Sequence, residues 1–343
     1  MTHRPRILIV GLFLDKEKNI PTQAFELSNV LRRNGYNVLS VSDYKNKILR
    51  LLHTVFFIVN KRKQFDVGIV QVYTGLNIIW AYVAAYLIKF QNKKLIFTIR
   101  GGALPDRMKI DPGTYLRLLR KADVITCPSN FMVRSLKKYN LHTVLIENVI
   151  QVQDYKSQHK NNLQPVLFWM RAFSPVYNPI MAVNVINELK NTYNYKNVKL
   201  YMGGPDMGLM QKARALIDQH KLRDNIELVG FVNMRNKLYF AKQCDIYMCT
   251  NNIDNAPVSF LEMMALGLPI VSTNVGGIPD LVTDNETALL VDKGDYKEMA
   301  KKIDDLLNNT ALSKNLIQNG EKCIDTFSEK SVYKKWHDLL GKI

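Results

Sequence analysis

Two carboxylates flank the start of a short apolar helix in the segment 250–282. Asp254 precedes this predicted helix, and Glu262 lies within it, eight positions later. A capping residue places the start of the helix near Asn255, and its end is marked by Gly267. Because a helix N-terminus attracts anions, this arrangement suits a sugar carried on a diphosphate, with one carboxylate on each side.

A charged residue such as Glu262 is unexpected in an almost wholly apolar helix. It shares a face with Ser259, which is three positions earlier. Two interpretations remain open at this point: Glu262 contacts a ligand, or it lies at the solvated edge of the helix.

The elements that must position these residues follow from the alternation of short apolar runs with segments of helical period. In the first half, buried strands are predicted at 6–10, 38–42, 67–73, 95–99, 124–127 and 144–146, and helices at 22–34, 45–60, 76–90, 115–121 and 130–139. In the second half, strands are predicted at 166–170, 200–202, 226–229, 246–249, 269–272 and 288–291, and helices at 179–191, 207–220, 234–242, 257–266 and 296–308.

This pattern predicts an α/β protein with two Rossmann-like parallel-sheet domains that face each other across a cleft. The polar segment 154–164 is the natural linker. We therefore assign residues 1–157 to an N-terminal domain and 158–325 to a C-terminal domain. The tail 326–343 is predicted to be a helix that crosses back to the first domain.

The charge of +17 is concentrated in the first half, where 24 Lys and Arg stand against 9 Asp and Glu. Nucleic acid, an anionic membrane and a solvated basic face are the three candidate explanations. No nucleic-acid recognition motif is present, and we favour the membrane, with the clusters 61–63 and 93–94 as contacts.

Composition and residue spacing argue against a metalloprotein, a membrane-spanning protein and a secreted protein. The four cysteines and six histidines have no metal-ligand spacing, so no metal is predicted. No apolar run reaches the roughly 18 residues of a spanning helix. The N-terminus resembles a strand rather than a signal peptide, so we expect a cytoplasmic protein, peripheral on the inner face of the cell membrane.

Five segments carry a resemblance to a known family. They are NAPVSFLEMMALGLPIVSTNVGGIPDLV, LRDNIELVGFV, CDIYMCTN, IENVI and ADVITCPS. Together they resemble the retaining, nucleotide-sugar-dependent glycosyltransferases of family 4, which have the glycosyltransferase B-type (GT-B) fold. The likeness is strong over 166–306 and weaker before it.

The resemblance implies roles for the donor domain. It places Glu262 on the nucleoside ribose and Asp254 on the sugar, although the family usually has Glu at the latter position. Arg171 would neutralise the diphosphate, unless it forms an ordinary ion pair. The family's accompanying Lys is missing, and residues 176–178 stand in its place. Nucleotide contacts are expected from the backbone and side chains of Gly203, Gly204, Phe231, Val232, Asn255, Ala256, Pro257, Val258 and Ser259.

The resemblance also implies that domain 1–157 lies on the acceptor side and that domain 158–325 binds the donor, but the first domain departs further from the family. Gly11 is expected to contact the nucleotide, yet it follows the first strand without the usual second glycine, and Arg100 stands where the family has His. Gly101 and Gly102 still allow close backbone approach on the acceptor or sugar side. Arg100 either binds an anionic group of the acceptor or donor, or forms a salt bridge with Asp106.

The implied reaction transfers a sugar from a UDP- or GDP-sugar to a lipid-linked or cell-surface glycan, with retention and without a metal or other cofactor. Two alternatives stay open: a non-catalytic scaffold with the same fold, and a sugar-nucleotide epimerase or phosphorylase. The residues do not identify the sugar, the linkage or the acceptor.

Overall fold

The computed structural model describes residues 4–13, 22–42, 44, 46–157, 160 and 162–343. It divides the chain into two compact units: unit 1 comprises residues 1–150 and 327–343, and unit 2 comprises residues 151–326. Parts of three predictions lie outside the described residues. These are the helix start at position 45, most of the loop after Gly11, and positions 158, 159 and 161 of the linker.

Unit 1 contains a six-stranded parallel sheet with the order β2-β1-β3-β4-β5-β6. Its strands are β1 (Ile7–Val10), β2 (Val38–Val41), β3 (Val67–Val72), β4 (Lys94–Ile99), β5 (Val124–Cys127) and β6 (Thr143–Leu145). Leu8 and Val10 pack in one apolar cluster, whereas Ile7 and Ile9 pack in another. Both faces of the sheet are therefore buried, as parallel sheets require, and the six predicted strands are confirmed.

Six helices of unit 1 precede residue 150 in the described chain. They are α1 (Gln23–Arg33), α2 (Lys47–Asn60), α3 (Ile78–Phe90), α4 (Leu104–Ile110), α5 (Pro112–Leu119) and α6 (Asn130–Lys137). Thr22 and Asn46 cap α1 and α2 with their side chains. The helix α4 was not predicted, because its seven residues are too few to display a helical period.

Unit 2 contains a second six-stranded parallel sheet, with the order β12-β11-β10-β7-β8-β9. Its strands are β7 (Val166–Met170), β8 (Lys199–Gly203), β9 (Ile226–Gly230), β10 (Ile246–Cys249), β11 (Ile270–Thr273) and β12 (Leu289–Val291). The chain runs outward from β7 to β9 and then returns to the other side of β7 with β10. The strand order thus reverses between β7 and β10, and sheets of this kind bind ligands outside the carboxyl ends of the strands at that point.

The helices of unit 2 alternate with these strands, as the sequence predicts, and two further helices were not predicted. The helices are α7 (Pro179–Asn191), α8 (Met210–Gln219), α9 (Met234–Gln243), α10 (Val258–Ala265), α11 (Ile278–Leu281), α12 (Tyr296–Asn308) and α13 (Thr310–Ile324). The four residues of α11 are too few to give a period. In α13, Gly320 interrupts the apolar pattern, and it allows close contact with Met264 of α10.

The last helix, α14 (Glu329–Leu340), packs on the sheet of unit 1. Trp336 and Leu340 are buried in the same cluster as Ile7. Lys335 Nζ lies 2.5 Å from an oxygen of Glu147, which adds a polar tie to the apolar contact. The tail therefore lies with the first half of the chain, as the sequence predicts.

Candidate functional site

The predicted donor residues of unit 2 converge at the point where the strand order reverses. Arg171 follows β7, and Asp254 follows β10 and lies before α10. These two strands pair directly with each other. The guanidinium and the carboxylate consequently meet, with 3.3 Å between Arg171 Nη2 and Asp254 Oδ2.

The carboxylate of Asp254 is held by three donors. Its Oδ2 accepts hydrogen bonds from Arg171 and from Asn251 Nδ2, the latter at 2.7 Å, and its Oδ1 accepts one from the Asn255 amide at 2.7 Å. Burial raises the pKa of Asp254, while the charge of Arg171 and the bonds from Asn255 and Asn251 oppose the rise. The carboxylate is therefore fixed in orientation before any ligand arrives.

Arg171 retains unused capacity to donate hydrogen bonds. Its backbone amide donates to Gly203 O at 3.0 Å, and its guanidinium lies 5.5 Å from the ring centre of Tyr177. Its Nε is buried and has no hydrogen-bond partner among the described residues. Desolvation opposes its charge, but Tyr247 and Asp254 raise the pKa of Arg171 overall. Arg171 thus forms a buried ion pair with Asp254 inside unit 2, and its diphosphate role stays a prediction.

The segment 176–178 does not supply a second cation. Tyr177 stands beside Arg171, whereas the Asn178 side chain accepts a hydrogen bond from the Met181 amide and caps α7. Asn178 is therefore occupied in holding the helix, and Tyr177 is the member of this segment that contacts the site.

The helix α10 begins at Val258, later than predicted. Pro257 is its N-cap rather than an early helical residue, and Pro257 itself makes no side-chain capping hydrogen bond. The difference arises because Pro257 has extended backbone angles, with ψ at 113°. The start of α10 therefore lies directly after the loop that carries Asp254, at the place where a helix N-terminus attracts an anion. The Ser259 hydroxyl accepts a hydrogen bond from Tyr247 Oη at 3.0 Å, and its predicted nucleotide contact stays a prediction.

Glu262 is buried, so the interpretation that places it at the solvated edge of α10 is wrong. Its Oε1 accepts hydrogen bonds from Lys237 Nζ at 2.5 Å and from Tyr155 Oη at 3.0 Å. The side chains of Lys237 and Glu262 are 4% and 11% exposed. Both contacts fall on the same oxygen, and among the described residues no hydrogen bond reaches Oε2.

Lys237 and Tyr155 were not identified from the sequence. Lys237 occupies the buried face of α9, one turn before the buried Ala241. A lysine at an apolar position of an amphipathic helix is the pattern that could have revealed the pair. Tyr155 lies in the predicted linker, where no pattern distinguishes it.

Glycines allow the chain to approach closely at this site. A Cβ atom on Gly204 would lie 1.9 Å from Arg171 O, and one on Gly276 would lie 2.0 Å from Asp254 O. Gly276 has a φ of +58°, and the amide of Gly277 donates to Asp254 O at 2.9 Å. The diglycine turn after β11 therefore supports the loop that carries Asp254, a role the sequence did not indicate.

Two residues predicted to contact the nucleotide, Gly203 and Val232, pack against each other. A Cβ atom on Gly203 would lie 2.2 Å from Val232 Cγ2, and Val232 itself is buried. Gly203 is needed for this packing. Phe231, in contrast, is exposed and accessible to a ligand.

In unit 1, Gly11, Gly101 and Gly102 all lie at the carboxyl ends of strands, after β1 and β4. A Cβ atom on Gly11 would lie 2.7 Å from the Cβ atom of Ala24, and one on Gly101 would lie 2.9 Å from Thr74 Cγ2. A larger residue at either position would collide with its neighbour, so both positions require glycine.

Arg100 does not pair with Asp106. Its Nη1 donates a hydrogen bond to Asn148 Oδ1, whereas Asp106 pairs with Lys109 at 2.8 Å. The prediction of a salt bridge between Arg100 and Asp106 is therefore wrong. Desolvation lowers the pKa of Arg100 to about 10, with Tyr73 opposing the fall.

The described residues contain no cluster of three His, Cys, Asp or Glu side chains suited to a metal ion. Within the same part of the chain, no helix has the length and apolar character needed to cross a membrane.

Comparison with known proteins identifies a family. A family model described as "Glycosyl transferases group 1" matches residues 151–323. The capsular polysaccharide biosynthesis glycosyltransferase CapM of Staphylococcus aureus is 28% identical over 121 residues. These residues make up 35% of this chain and 32% of CapM, so the match spans about a third of that relative.

Solved structures resemble the whole chain in fold. Sucrose-phosphate synthase from Thermosynechococcus elongatus gives a TM-score of 0.83 at 15% identity, covering 99% of each chain. The Anabaena protein HepE, solved in complex with UDP and glucose, gives 0.78 at 14% identity and covers 99% of this chain and 100% of that chain. The two parallel sheets and their flanking helices thus form the two-domain α/β fold of GT-B type.

Proposed function

This chain belongs to the glycosyl transferases group 1 family, and we propose that it transfers a sugar from a UDP- or GDP-sugar to a glycan or lipid-linked acceptor. The observation that carries the proposal is the convergence of Arg171, Asp254 and the start of α10 where the sheet order of unit 2 reverses. The resemblance to family 4 supports retention of the anomeric configuration.

Arg171 and α10 bind the diphosphate in this proposal. Negative charge develops on the diphosphate as its bond to the sugar breaks, and preorganised donors stabilise that charge. In this proposal, the guanidinium of Arg171 and the backbone at the start of α10 supply these donors. Asp254, fixed by its three hydrogen bonds, accepts hydroxyl groups of the sugar.

In the same proposal, Glu262 binds the ribose of the nucleotide. Lys237 and Tyr155 hold its Oε1, which leaves Oε2 for the ribose hydroxyls. The acceptor hydroxyl then attacks the anomeric carbon on the face from which the diphosphate departs. The bond from that carbon to the phosphate oxygen breaks, and the hydroxyl proton passes to the departing oxygen.

A membrane-facing location is supported by unit 1. Ile48, Leu52 and Phe56 recur every four residues along α2, and these residues are 70%, 60% and 67% exposed. The basic segment 61–63 follows this helix directly. An exposed apolar stripe beside basic residues is the pattern of a helix that lies in a membrane interface. We propose that this surface binds the inner face of the cell membrane, where a lipid-linked acceptor is available.

A thermal-shift panel of UDP-, GDP- and ADP-sugars tests the proposal. We expect a UDP- or GDP-sugar to raise the melting temperature in proportion to the logarithm of its concentration. The corresponding nucleoside should give a smaller shift, because it lacks the diphosphate. If no nucleotide sugar stabilises the protein, the alternative of a scaffold that binds no donor is favoured instead.

A further inference from the structure

Two side chains that lie outside the segments with the family resemblance converge on Glu262. Lys237 belongs to α9, between the segments 222–232 and 244–251, and Tyr155 follows the segment 146–150. Lys237 Nζ lies 2.5 Å and Tyr155 Oη lies 3.0 Å from the same oxygen, Glu262 Oε1. Two distant parts of the chain thus hold a single carboxylate oxygen.

Lys237 occupies a buried position of α9. Its side chain is 4% exposed, and the buried Ala241 lies one turn later on the same face. A buried lysine loses its hydration, and only a close opposite charge with good geometry compensates for the loss. An apolar residue would cover this face without any such loss. The presence of Lys237 therefore indicates a role that depends on its charge and on Glu262.

The hydrogen bonds on Oε1 determine which atom of Glu262 a ligand can use. A carboxylate oxygen has two lone pairs that accept hydrogen bonds. Lys237 and Tyr155 use both of those on Oε1, whereas no hydrogen bond from the described part of the chain reaches Oε2. A hydroxyl group that donates to this carboxylate is therefore directed to Oε2.

The same two donors fix the orientation of the carboxylate. The last torsion of a glutamate side chain has only a broad preference, so a free carboxylate rotates readily. Because Lys237 and Tyr155 hold one oxygen, that rotation is restricted before a ligand binds. Binding to a preordered group loses less conformational entropy than binding to a mobile one. Oε2 is thus an acceptor of restricted position, suited to one arrangement of ligand hydroxyl groups.

We propose that Lys237 and Tyr155 are positioning residues through which Glu262 selects ribonucleotide donors over deoxyribonucleotide donors. The proposal rests on the proposed glycosyl transfer, in which Glu262 binds the ribose. Ribose carries a 2′-hydroxyl and a 3′-hydroxyl, and deoxyribose lacks the 2′-hydroxyl. A site built to bind a hydroxyl group disfavours an analogue without it, because the polar group of the protein is left unpaired. UDP- and GDP-sugars are therefore favoured over sugars carried on deoxythymidine diphosphate.

The affinity for UDP relative to 2′-deoxy-UDP, from titration calorimetry, measures this selection. GDP and 2′-deoxy-GDP replace them if the protein prefers guanine. We expect the wild type to bind the ribonucleotide at least tenfold more tightly. Because the two nucleotides differ only in the 2′-hydroxyl, the ratio of their affinities reports on the ribose contact and not on the stability of the fold. A smaller ratio in the wild type would overturn the proposal.

Tyr155→Phe removes one donor from Oε1 and keeps both the ring and the ion pair. Since Glu262 can then rotate, the preference for the ribonucleotide should fall threefold or more. Tyr239→Phe is the matched control, because it removes an exposed phenol from α9, and it should leave the preference unchanged. If Tyr155 only stabilises the fold, Tyr155→Phe weakens both nucleotides equally. The ratio then stays at the wild-type value, and that result would also overturn the proposal.

Lys237→Arg tests the other donor. A guanidinium has two donors in a fork that matches both oxygens of a carboxylate, so it should occupy Oε2 as well as Oε1. We expect weaker binding of the ribonucleotide and loss of most of the preference. Thermal denaturation establishes whether the variant is folded at the titration temperature, and if it is not, Tyr155→Phe alone decides. A folded Lys237→Arg variant with the wild-type preference would contradict the assignment of Oε2 to the ribose.

The titrations also distinguish this proposal from the function on which it rests. A wild-type protein that binds no member of either nucleotide pair would contradict both. A wild type that binds the ribonucleotide without the expected preference, or a Tyr155→Phe variant with an unchanged preference, would contradict only the positioning role. Donor binding by unit 2 would then remain intact.

Discussion

Lys237 Nζ and Glu262 Oε1 lie 2.5 Å apart, and this buried ion pair joins α9 to the helix of the donor site. Tyr155 Oη donates to the same oxygen at 3.0 Å. A buried pair is costly to break because the remaining charge has no partner. Glu262 therefore has a structural role in addition to the ribose contact that we propose for it.

Breaking the pair from one side should destabilise the protein more than removing both charges. Lys237→Met leaves Glu262 charged and buried, so we expect a loss of about 3–5 kcal/mol in the free energy of unfolding. Lys237→Met/Glu262→Gln should recover more than half of this loss. Tyr155→Phe, the matched control, removes one neutral donor and should cost about 1 kcal/mol. Urea denaturation measures all three, and a Lys237→Met variant as stable as the wild type would contradict the structural role.

Arg171 should contribute to the transition state more than to folding. Removal of one preorganised donor from a developing anion typically lowers kcat by about 10²–10³-fold, and we expect this of Arg171→Ala. Arg223→Ala is the control, because Arg223 forms an ion pair with Asp218 in the same unit and is 78% exposed. Initial rates with the donor identified by thermal shift provide the measurement. A kcat within twofold of wild type in Arg171→Ala would exclude the diphosphate role.

The raised pKa of Asp254 predicts a dependence of stability on pH. Below the ordinary Asp pKa of 3.8, both folded and unfolded forms are protonated at this group. Above it, the unfolded chain loses its proton first, so folding becomes less favourable until pH exceeds the raised value. Asp254→Asn lacks this loss, and its stability relative to wild type should rise as pH increases above 3.8 and become constant once pH exceeds the raised pKa. A stability difference that is constant with pH would be evidence against the raised pKa.

Gly276 should be more sensitive to substitution than another glycine of the same backbone class. Both Gly276 and Gly294 have positive φ, at +58° and +84°. A Cβ atom on Gly276 would collide with Asp254 O, whereas one on Gly294 would not. Gly294→Ala should cost about 1–2 kcal/mol from backbone strain alone. Gly276→Ala should cost more and should also weaken donor binding at least tenfold, because the Asp254 loop must move. Equal effects of the two substitutions on donor binding would refute the support role of Gly276.

The fold could be predicted because its determinants are local. Buried apolar runs such as Val166–Met170 identify parallel strands without knowledge of the rest of the chain. Helices such as α13, whose apolar pattern is interrupted by Gly320, depend on contacts with distant residues and were missed.

The site could be predicted only in part, because some of its contacts join residues that are distant in the sequence. Asp254 and Glu262 are close in sequence and stand at a recognisable helix start. Lys237 reaches Glu262 from 25 positions away, and no local pattern reveals that pairing.

The central claim, that unit 2 binds a nucleotide sugar through Glu262 and its surroundings, is tested most directly by titration calorimetry on wild type and Glu262→Gln. Gln keeps an oxygen for Lys237 and Tyr155 but leaves the charge of Lys237 without a partner, so thermal denaturation first establishes that the variant is folded at the titration temperature. The variant presents an amide instead of a carboxylate to the ribose. We predict that UDP or GDP binds the wild type and that Glu262→Gln binds the same nucleotide at least tenfold more weakly, which corresponds to about 1.4 kcal/mol. Equal affinity in the two proteins, or no nucleotide binding by the wild type, would contradict the account.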